Sequence, residues 1–246
     1  IRISDANKIR AIRLERPEKR NALTDEMYDA VSNALDDASQ SEDIAVVTIG
    51  AVGDFFCAGN DLSTFAKAAE GPRRGDQPSA AARFVKTISA FQRPLIAAVN
   101  GPGVGVGATM LLHCDLVVAR RTAWFAFPFA DLGLVPEAGS SLLLPLRMGH
   151  AAAARLLLLG ERLTAEEAHA AGLVSHIVDD DADAIAHATA IKLASMSVFS
   201  LIETKRLMSS ASGGVAEHME REGKAFSAAL RSDFAKARFA AFLTKS

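Results

Sequence analysis

The chain has 246 residues, half of them hydrophobic, enough apolar surface for one large domain or a domain with an appendage. Its 27 Lys and Arg nearly cancel 29 Asp and Glu, and the basic residues are scattered. That excludes the positive stripe needed to track a phosphate backbone, and the longest apolar runs, such as Ile44 to Ile49, fall far short of the roughly 20 residues that cross a bilayer. Neither nucleic acid nor a membrane is expected as a partner.

Cys57 and Cys114 form no CxxC pair, so they supply neither a disulfide framework nor a zinc knuckle. The six histidines show no HxxxH or HExxH spacing, and no metal is expected. The sequence shows no charged-then-apolar leader, which together with the cysteine usage makes a cytoplasmic location the expectation.

In chain order, Ile9 to Leu14 reads as a strand, and after the turn-like Arg16-Pro17-Glu18 a helix follows with Met27, Val31, Ala34, Leu35 and Ala38 on one face. Ile44 to Ile49 and Leu95 to Val99 are unbroken apolar runs, the pattern of strands covered on both faces. Between them, Ala69 to Ser79 is rich in Gly, Pro and charge and reads as a surface loop. Leu116 to Ala119, Trp124 to Phe127 and Val174 to Val178 are further strands. Between them His150 to Leu159 forms a helix stopped by Gly160, and Thr164 to Glu167 forms a capping box. Strands alternating with helices predict an α/β core. From about Ala184 to Leu243 the pattern is helical only, and Phe199, Leu207, Met219, Phe226, Phe234 and Phe239 there need a surface to cover, of which a subunit interface is one kind.

Three segments follow predicted strands and combine small residues with polar groups, where α/β proteins place ligands. In the first, Phe56 to Leu62, the Ala58-Gly59 pair lets backbone approach a ligand; the alternative is an ordinary turn entering a helix capped by Asn60 or Asp61. The second, Asn100 to Ala108, runs from a buried strand into a helix and aims several amides at one spot. Gly103, Gly105 and Ala108 also fit the dinucleotide fingerprint GxGxxA, with Arg120 and Arg121 placed for a 2′-phosphate, so an NADP-dependent oxidoreductase is the rival reading. A packing-only glycine run is the third. The last segment, Asp131 to Ser141, sets Glu137 in an apolar, glycine-flanked turn. Desolvation there raises a carboxylate toward the range useful for proton transfer, which makes Glu137 the best acid/base candidate; the alternative is an exposed Glu at a helix N-terminus. Ser140 and Ser141 lie in no GxSxG elbow and pair with no evident histidine, so hydrolase chemistry is weakly supported.

Taken in this order, the segments resemble the crotonase (enoyl-CoA hydratase/isomerase) superfamily from about Ile9 through the helical tail. Arg16-Pro17-Glu18-Lys19-Arg20-Asn21-Ala22-Leu23 looks like its early coenzyme A-contacting stretch, Phe56 to Leu62 its first oxyanion loop, and Arg93 to Asp115 its second. The resemblance implies an α/β fold, a spiral of ββα units over residues 1–190, with a helical region over 191–246 that trimerises or closes over the site. It implies an oxyanion hole made by the backbone N–H groups of Asn60 and Val106, although Val106 stands where many members have glycine. It also implies acyl-CoA contacts from Lys19, Arg20, Ala22, Ala58, Asp61, Leu62, Gly105 and Phe129, with Phe65 and Phe84 as further pocket residues. The two glutamates of family hydratases correspond to Thr109 and Phe129, so both are missing. Glu137 falls where Δ3,Δ2-enoyl-CoA isomerases place their single glutamate. The expectation is an isomerase of acyl-CoA thioesters, a homotrimer or dimer of trimers, with no cofactor beyond the substrate's own coenzyme A. A hydratase, a ring-epoxide CoA isomerase and a non-catalytic acyl-CoA-binding protein are the other readings, and the acyl group stays open.

Overall fold

The computed structural model describes residues 1–61, 78–210 and 214–244. A strand that no pattern announced opens it: β1 (Arg2–Ala6) pairs antiparallel with β2 (Ile9–Leu14), Ala6 opposite Ile9. All five residues of β1 are exposed, so no apolar alternation marks it. Asn7 and Lys8 make the reversal with φ of 52° and 62°, the paired positive values that a two-residue hairpin with right-handed strand twist requires.

From β2 onward the main sheet is parallel. It runs β1-β2-β3-β4-β6-β9, with β3 at Val46–Ala51, β4 at Leu95–Val99, β6 at Leu116–Arg120 and β9 at His176–Val178. A smaller sheet, β5-β7-β8, is made from Gly103–Val104, Trp124–Ala126 and Leu163–Thr164. The two-residue strands β5 and β8 are too short to leave a periodic signal. The apolar run expected as a strand from Ile44 pairs only from Val46, because Ala45 and Val46 first donate to the Lys8 carbonyl at the hairpin.

Both faces of the main sheet are covered, which explains the unbroken apolar runs. On one face Leu95, Ala97 and Val99 join the large core. Helix α1 (Asp25–Gln40), capped by the Thr24 hydroxyl, contributes Tyr28, Val31 and Leu35 to it. Helix α2 (Ala80–Ala90) lies on α1, with the Phe84 and Tyr28 rings 5.3 Å apart. On the other face Ile96, Ala98 and Val118 meet Ala182, Ala186 and Ala190 of a later helix at Ala182–Ala194, whose small side chains permit a close approach. Asn100, at the end of β4, fixes that helix by accepting from Ala182 N at 2.8 Å and donating to Asp183 at 2.9 Å.

The second oxyanion segment forms α3 (Val106–Thr109) and a 3-10 turn, Met110–His113. Helices α4 (Ser140–Met148), α5 (His150–Leu159) and α6 (Ala165–Ala170) follow; α5 ends at left-handed Gly160 and α6 carries the expected capping box between Thr164 and Glu167. The helix over Ala182–Ala194 is α7, and α8 (Val198–Ser210) is tied back by Lys205, which reaches Arg93 O at 3.0 Å and Asp115 at 2.7 Å. The last two helices, α9 (Val215–Leu230) and α10 (Asp233–Leu243), fold over the front of their own chain. Ala235 and Phe239 are buried in the main core, and Arg238 donates to Asp131 O at 2.7 Å. So part of the apolar content of the tail covers the chain itself, while Phe199, Leu207 and Phe234 stay 75, 68 and 60 % exposed.

Among the described residues no single helix is long and apolar enough to cross a membrane. Leu62, Phe65 and most of the expected loop at Ala69 to Ser79 lie outside the described residues.

Candidate active site

The stretch from Arg16 to Leu23 is built around Asn21, whose fully buried amide donates to Val52 O at 2.9 Å and Phe55 O at 2.8 Å while its carbonyl oxygen accepts from Arg16 N. Those bonds hold Arg20 and Asn21 at φ of 51° and 56°, the left-handed region that Asn tolerates best among residues with a side chain. The turn leaves Lys19 and Arg20 exposed at the rim, Arg20 resting 5.1 Å over the Phe55 ring. It also lines the Phe56 to Asp61 loop: Ala58 N donates to Arg20 O, Leu23 N to Gly59 O and Asp61 N to Leu23 O. Arg16 closes the arrangement by bonding Ala22 O at 3.0 Å and Asp61 at 2.7 Å.

That ladder orients Asn60. In a parallel bridge the residue whose two neighbours bond the opposing strand points its own N–H the other way, and Asn60 is that residue opposite Leu23. Its side chain is occupied too, because the buried Tyr28 hydroxyl donates to Asn60 Oδ1 at 2.6 Å. On the second loop, Gly105 N donates to Ala126 O, and Ala108 N and Thr109 N donate to Gly105 O. Among the described residues neither Asn60 N–H nor Val106 N–H has a protein acceptor.

Glycines let the two loops meet. A Cβ on Gly59 would stand 3.0 Å from Val104 O, and Gly105, at φ 56° and ψ −124°, occupies backbone space that side chains do not enter. A Cβ on Gly107 would lie 2.4 Å from Cys57 O. The glycine pattern thus serves loop-against-loop packing. The rival dinucleotide reading fails on the fold, since Gly103 and Val104 form a strand of the small sheet and α3 is a single turn, too short to be the pyrophosphate-binding helix of that fingerprint. Arg121 pairs instead with Asp179 and Glu166.

Glu137 comes to the foot of α3. Its Oε1 accepts a hydrogen bond from the buried Thr109 hydroxyl, and three residues, roughly 4.5 Å of helical rise, separate Thr109 from Val106. Burial pushes the Glu137 carboxyl up to about 7; the Thr109 bond opposes the shift and the nearby Glu222 carboxylate adds to it. The alternative of a solvated Glu at a helix start is thereby excluded.

Of the other expected residues, Ala22, Ala58, Asp61 and Gly105 gather around these loops, while Phe129 and Phe84 are 5 and 1 % exposed and belong to the core. Phe129 O accepts from Leu132 and Leu134, closing the turn that leads to Glu137. One expectation is corrected. Ser141 does meet a histidine: its hydroxyl is 2.7 Å from His218 Nε2 and donates to Glu222, both on α9. Seventy-seven residues of chain separate Ser141 from His218, so spacing could not reveal the pair. His113, Tyr28 and Glu222 were missed for the same reason, each looking like an ordinary helix residue in the sequence.

Comparison with known proteins agrees with this geometry. The enoyl-CoA hydratase/isomerase family matches residues 4–245. Rat enoyl-CoA delta isomerase 2 is 42 % identical over 179 residues, 72 % of this chain but 46 % of its own length, so the match spans about half of that relative. The 1,2-epoxyphenylacetyl-CoA isomerase of Escherichia coli K12 is 36 % identical, over 82 % of this chain and 79 % of its own. An enoyl-CoA hydratase/isomerase structure from Pseudoalteromonas atlantica T6c superposes with a TM-score of 0.92 at 41 % identity, covering 99 % of this chain and 96 % of that one.

Two stability measurements follow. Gly107→Ala, which must push α3 away from Cys57, is expected to cost about 1–3 kcal/mol in denaturant titration. Gly223→Ala, in α9 with nothing within 4 Å of its added methyl, should be neutral or stabilising. For Glu137 the sign follows from its raised value: the folded state holds a proton that the unfolded chain releases, so this stabilisation is full below about 4.5 and is lost as pH rises through about 7. Glu137→Gln, neutral throughout, should melt above the wild type at pH 8, by at most about 3 kcal/mol, with the gap closing by pH 5.

Proposed function

Because the chain belongs to the enoyl-CoA hydratase/isomerase family, we propose that it moves the double bond of a 3-enoyl-CoA to the trans-2 position, with Glu137 as the one proton carrier. The observation that carries this reading is the number of carboxylates free to act. Hydration needs one group to activate water while a proton reaches C2, whereas isomerisation shuttles one proton between C2 and C4. At the two hydratase positions stand Thr109, a donor to Glu137, and Phe129, a core residue. The other acid nearby, Glu222, is occupied by Gly139 N, Ser141 N and the Ser141 hydroxyl.

In the proposed reaction the thioester oxygen accepts from Asn60 N–H and Val106 N–H. Glu137 removes a C2 proton, and the C–H electrons delocalise through the carbonyl as a dienolate held by the two amides. Such donors are typically worth about 3–4 kcal/mol each. The same carboxyl returns its proton at C4, the C3–C4 double bond becomes C2–C3, and the carbonyl re-forms. The sequence is redox-neutral and calls on no cofactor beyond the coenzyme A of the substrate. Exposed Lys19 and Arg20 suit its phosphates, with Ala22, Ala58, Asp61 and Gly105 shaping the path. A carboxyl near 7 is suited to both giving and taking a proton at neutral pH.

The likeness to the Escherichia coli epoxide isomerase supports a second reading in which the acyl group is a ring epoxide. A panel of acyl-CoA thioesters distinguishes the two. Straight-chain 3-enoyl-CoA should give trans-2-enoyl-CoA with little 3-hydroxyacyl-CoA, and Glu137→Gln should lower the rate by roughly 10² to 10⁴ while acyl-CoA binding survives. Robust hydration by the wild type would defeat the assignment; preference for the epoxide would transfer it to the second reading.

We also propose a homotrimer or a dimer of trimers, supported by Ile191 on α7 and Phe199, Leu207 and Met208 on α8, which remain exposed after the C-terminal helices have packed. Light scattering at micromolar concentration should give three or six times the chain mass, and a monomer would remove this proposal without touching the chemistry.

A further inference from the structure

We propose that Glu222 is a positioning residue that fixes the Glu137 turn from α9, an inference that rests on Glu137 being the base. Glu222 is 7 % exposed and reaches back across 83 residues of sequence to Gly139. Its Oε2 accepts from Gly139 N at 2.6 Å; its Oε1 accepts from Ser141 N at 2.9 Å and from the Ser141 hydroxyl. Gly139 is the N-cap of α4 and has no side chain to satisfy the first amides of that helix. Glu222 therefore does from another helix what a capping side chain does locally, placing a carboxylate where free N–H groups and the helix dipole favour negative charge.

The turn needs such support. Ala138 and Gly139 are consecutive left-handed residues at φ 57° and 72°, and for alanine that conformation costs about 1–2 kcal/mol. Its partners pull from opposite sides. Burial lowers His113 to about 4, so the ring is neutral at physiological pH, and its Nε2–H donates to Ala138 O at 2.8 Å. His113 closes the 3-10 turn that continues α3, so the side facing the oxyanion hole holds the carbonyl of residue 138 while Glu222 holds the next amide. Between them the peptide orientation that sends the Glu137 side chain toward Thr109 is set.

The Ser141, His218 and Glu222 trio is not a nucleophile with its base. Arg221 lies 3.4 Å from His218 Nδ1 and can only donate to it, which leaves Nε2 to carry the hydrogen that faces Ser141. His218 then donates to Ser141 and Ser141 to Glu222, so the relay ends on the carboxylate and strengthens its grip.

The test uses the full chain and 3-enoyl-CoA, comparing wild type, Glu137→Gln and Glu222→Gln. The groups facing this corner are Thr109 from α3, His113 from its 3-10 extension, Tyr28 from α1, and His218 and Arg221 from α9; none of them is altered. Glu222→Gln turns one acceptor oxygen into a donor facing an amide and removes a negative charge beside Glu137. We expect kcat to fall roughly 10- to 100-fold with KM little changed, as for a displaced catalytic group. The acid limb of the pH profile should move to lower pH because the like charge is gone. A merely structural loss would leave that limb in place. Should Glu222→Gln not fold, Glu222→Asp, which keeps the charge but is too short to reach both amides, is read by the fall in kcat at unchanged KM, with the acid limb staying in place. Wild-type kcat and an unmoved acid limb in a folded variant, with Glu137→Gln inactive, would overturn the proposal and leave the base assignment standing. An active Glu137→Gln would instead bring down the base assignment itself.

Discussion

The bond between the Thr109 hydroxyl and the Glu137 carboxyl ties the two halves of the candidate site to each other. Thr109 ends the single helical turn that begins at Val106, so the separation between the Val106 N–H and the Glu137 carboxyl is set by one turn of backbone. A helix that short could not hold itself. It is held because Gly107 lies against Cys57 O, because Gly105 N reaches Ala126 O in the small sheet, and because β4 delivers the segment from the middle of a sheet buried on both faces.

The same geometry explains a tension in the electrostatics. Buried carboxylates are usually paired with cations, yet Glu137 is met by a hydroxyl and lies near a second carboxylate. Folding thus carries a cost at neutral pH that a structural residue would not impose, a pattern common where a group must change protonation state during turnover. The Asn60 and Val106 amides represent a milder form of the same strain, being backbone donors without a protein acceptor among the described residues while Ala58, Asp61, Gly105 and Ala108 beside them are engaged.

Most of the architecture was legible in the sequence because the sheet is apolar on both faces and its helices carry clean caps. Ile96 and Ala98 facing one layer, with Leu95, Ala97 and Val99 facing the other, produce the run that marks β4. Strand β1 escaped notice because nothing packs on it, and β5 and β8 because two residues make no period. In the site, Glu137 could be found because an acid among glycines and apolar residues is locally anomalous. Glu222 could not: Glu217, Glu220 and Glu222 occur in one polar helix, and only the tertiary path of α9 shows that the third of them is buried. The glycine segments stood out as ligand-binding candidates, while their immediate physical task, letting loop meet loop, shows only in the fold.

The return of the last two helices over the front of their own chain bears on the order in which the protein becomes competent. Among the described residues every strand is complete by Val178, so the sheets and the segment carrying Glu137 leave the ribosome before α9 and α10 do. At that stage Gly139 and Ser141 still lack the carboxylate that holds them, and the core still lacks Ala235 and Phe239. A nascent chain therefore gathers the sheet and the Glu137 turn early, but that turn is held in its final shape only once α9 has packed against it.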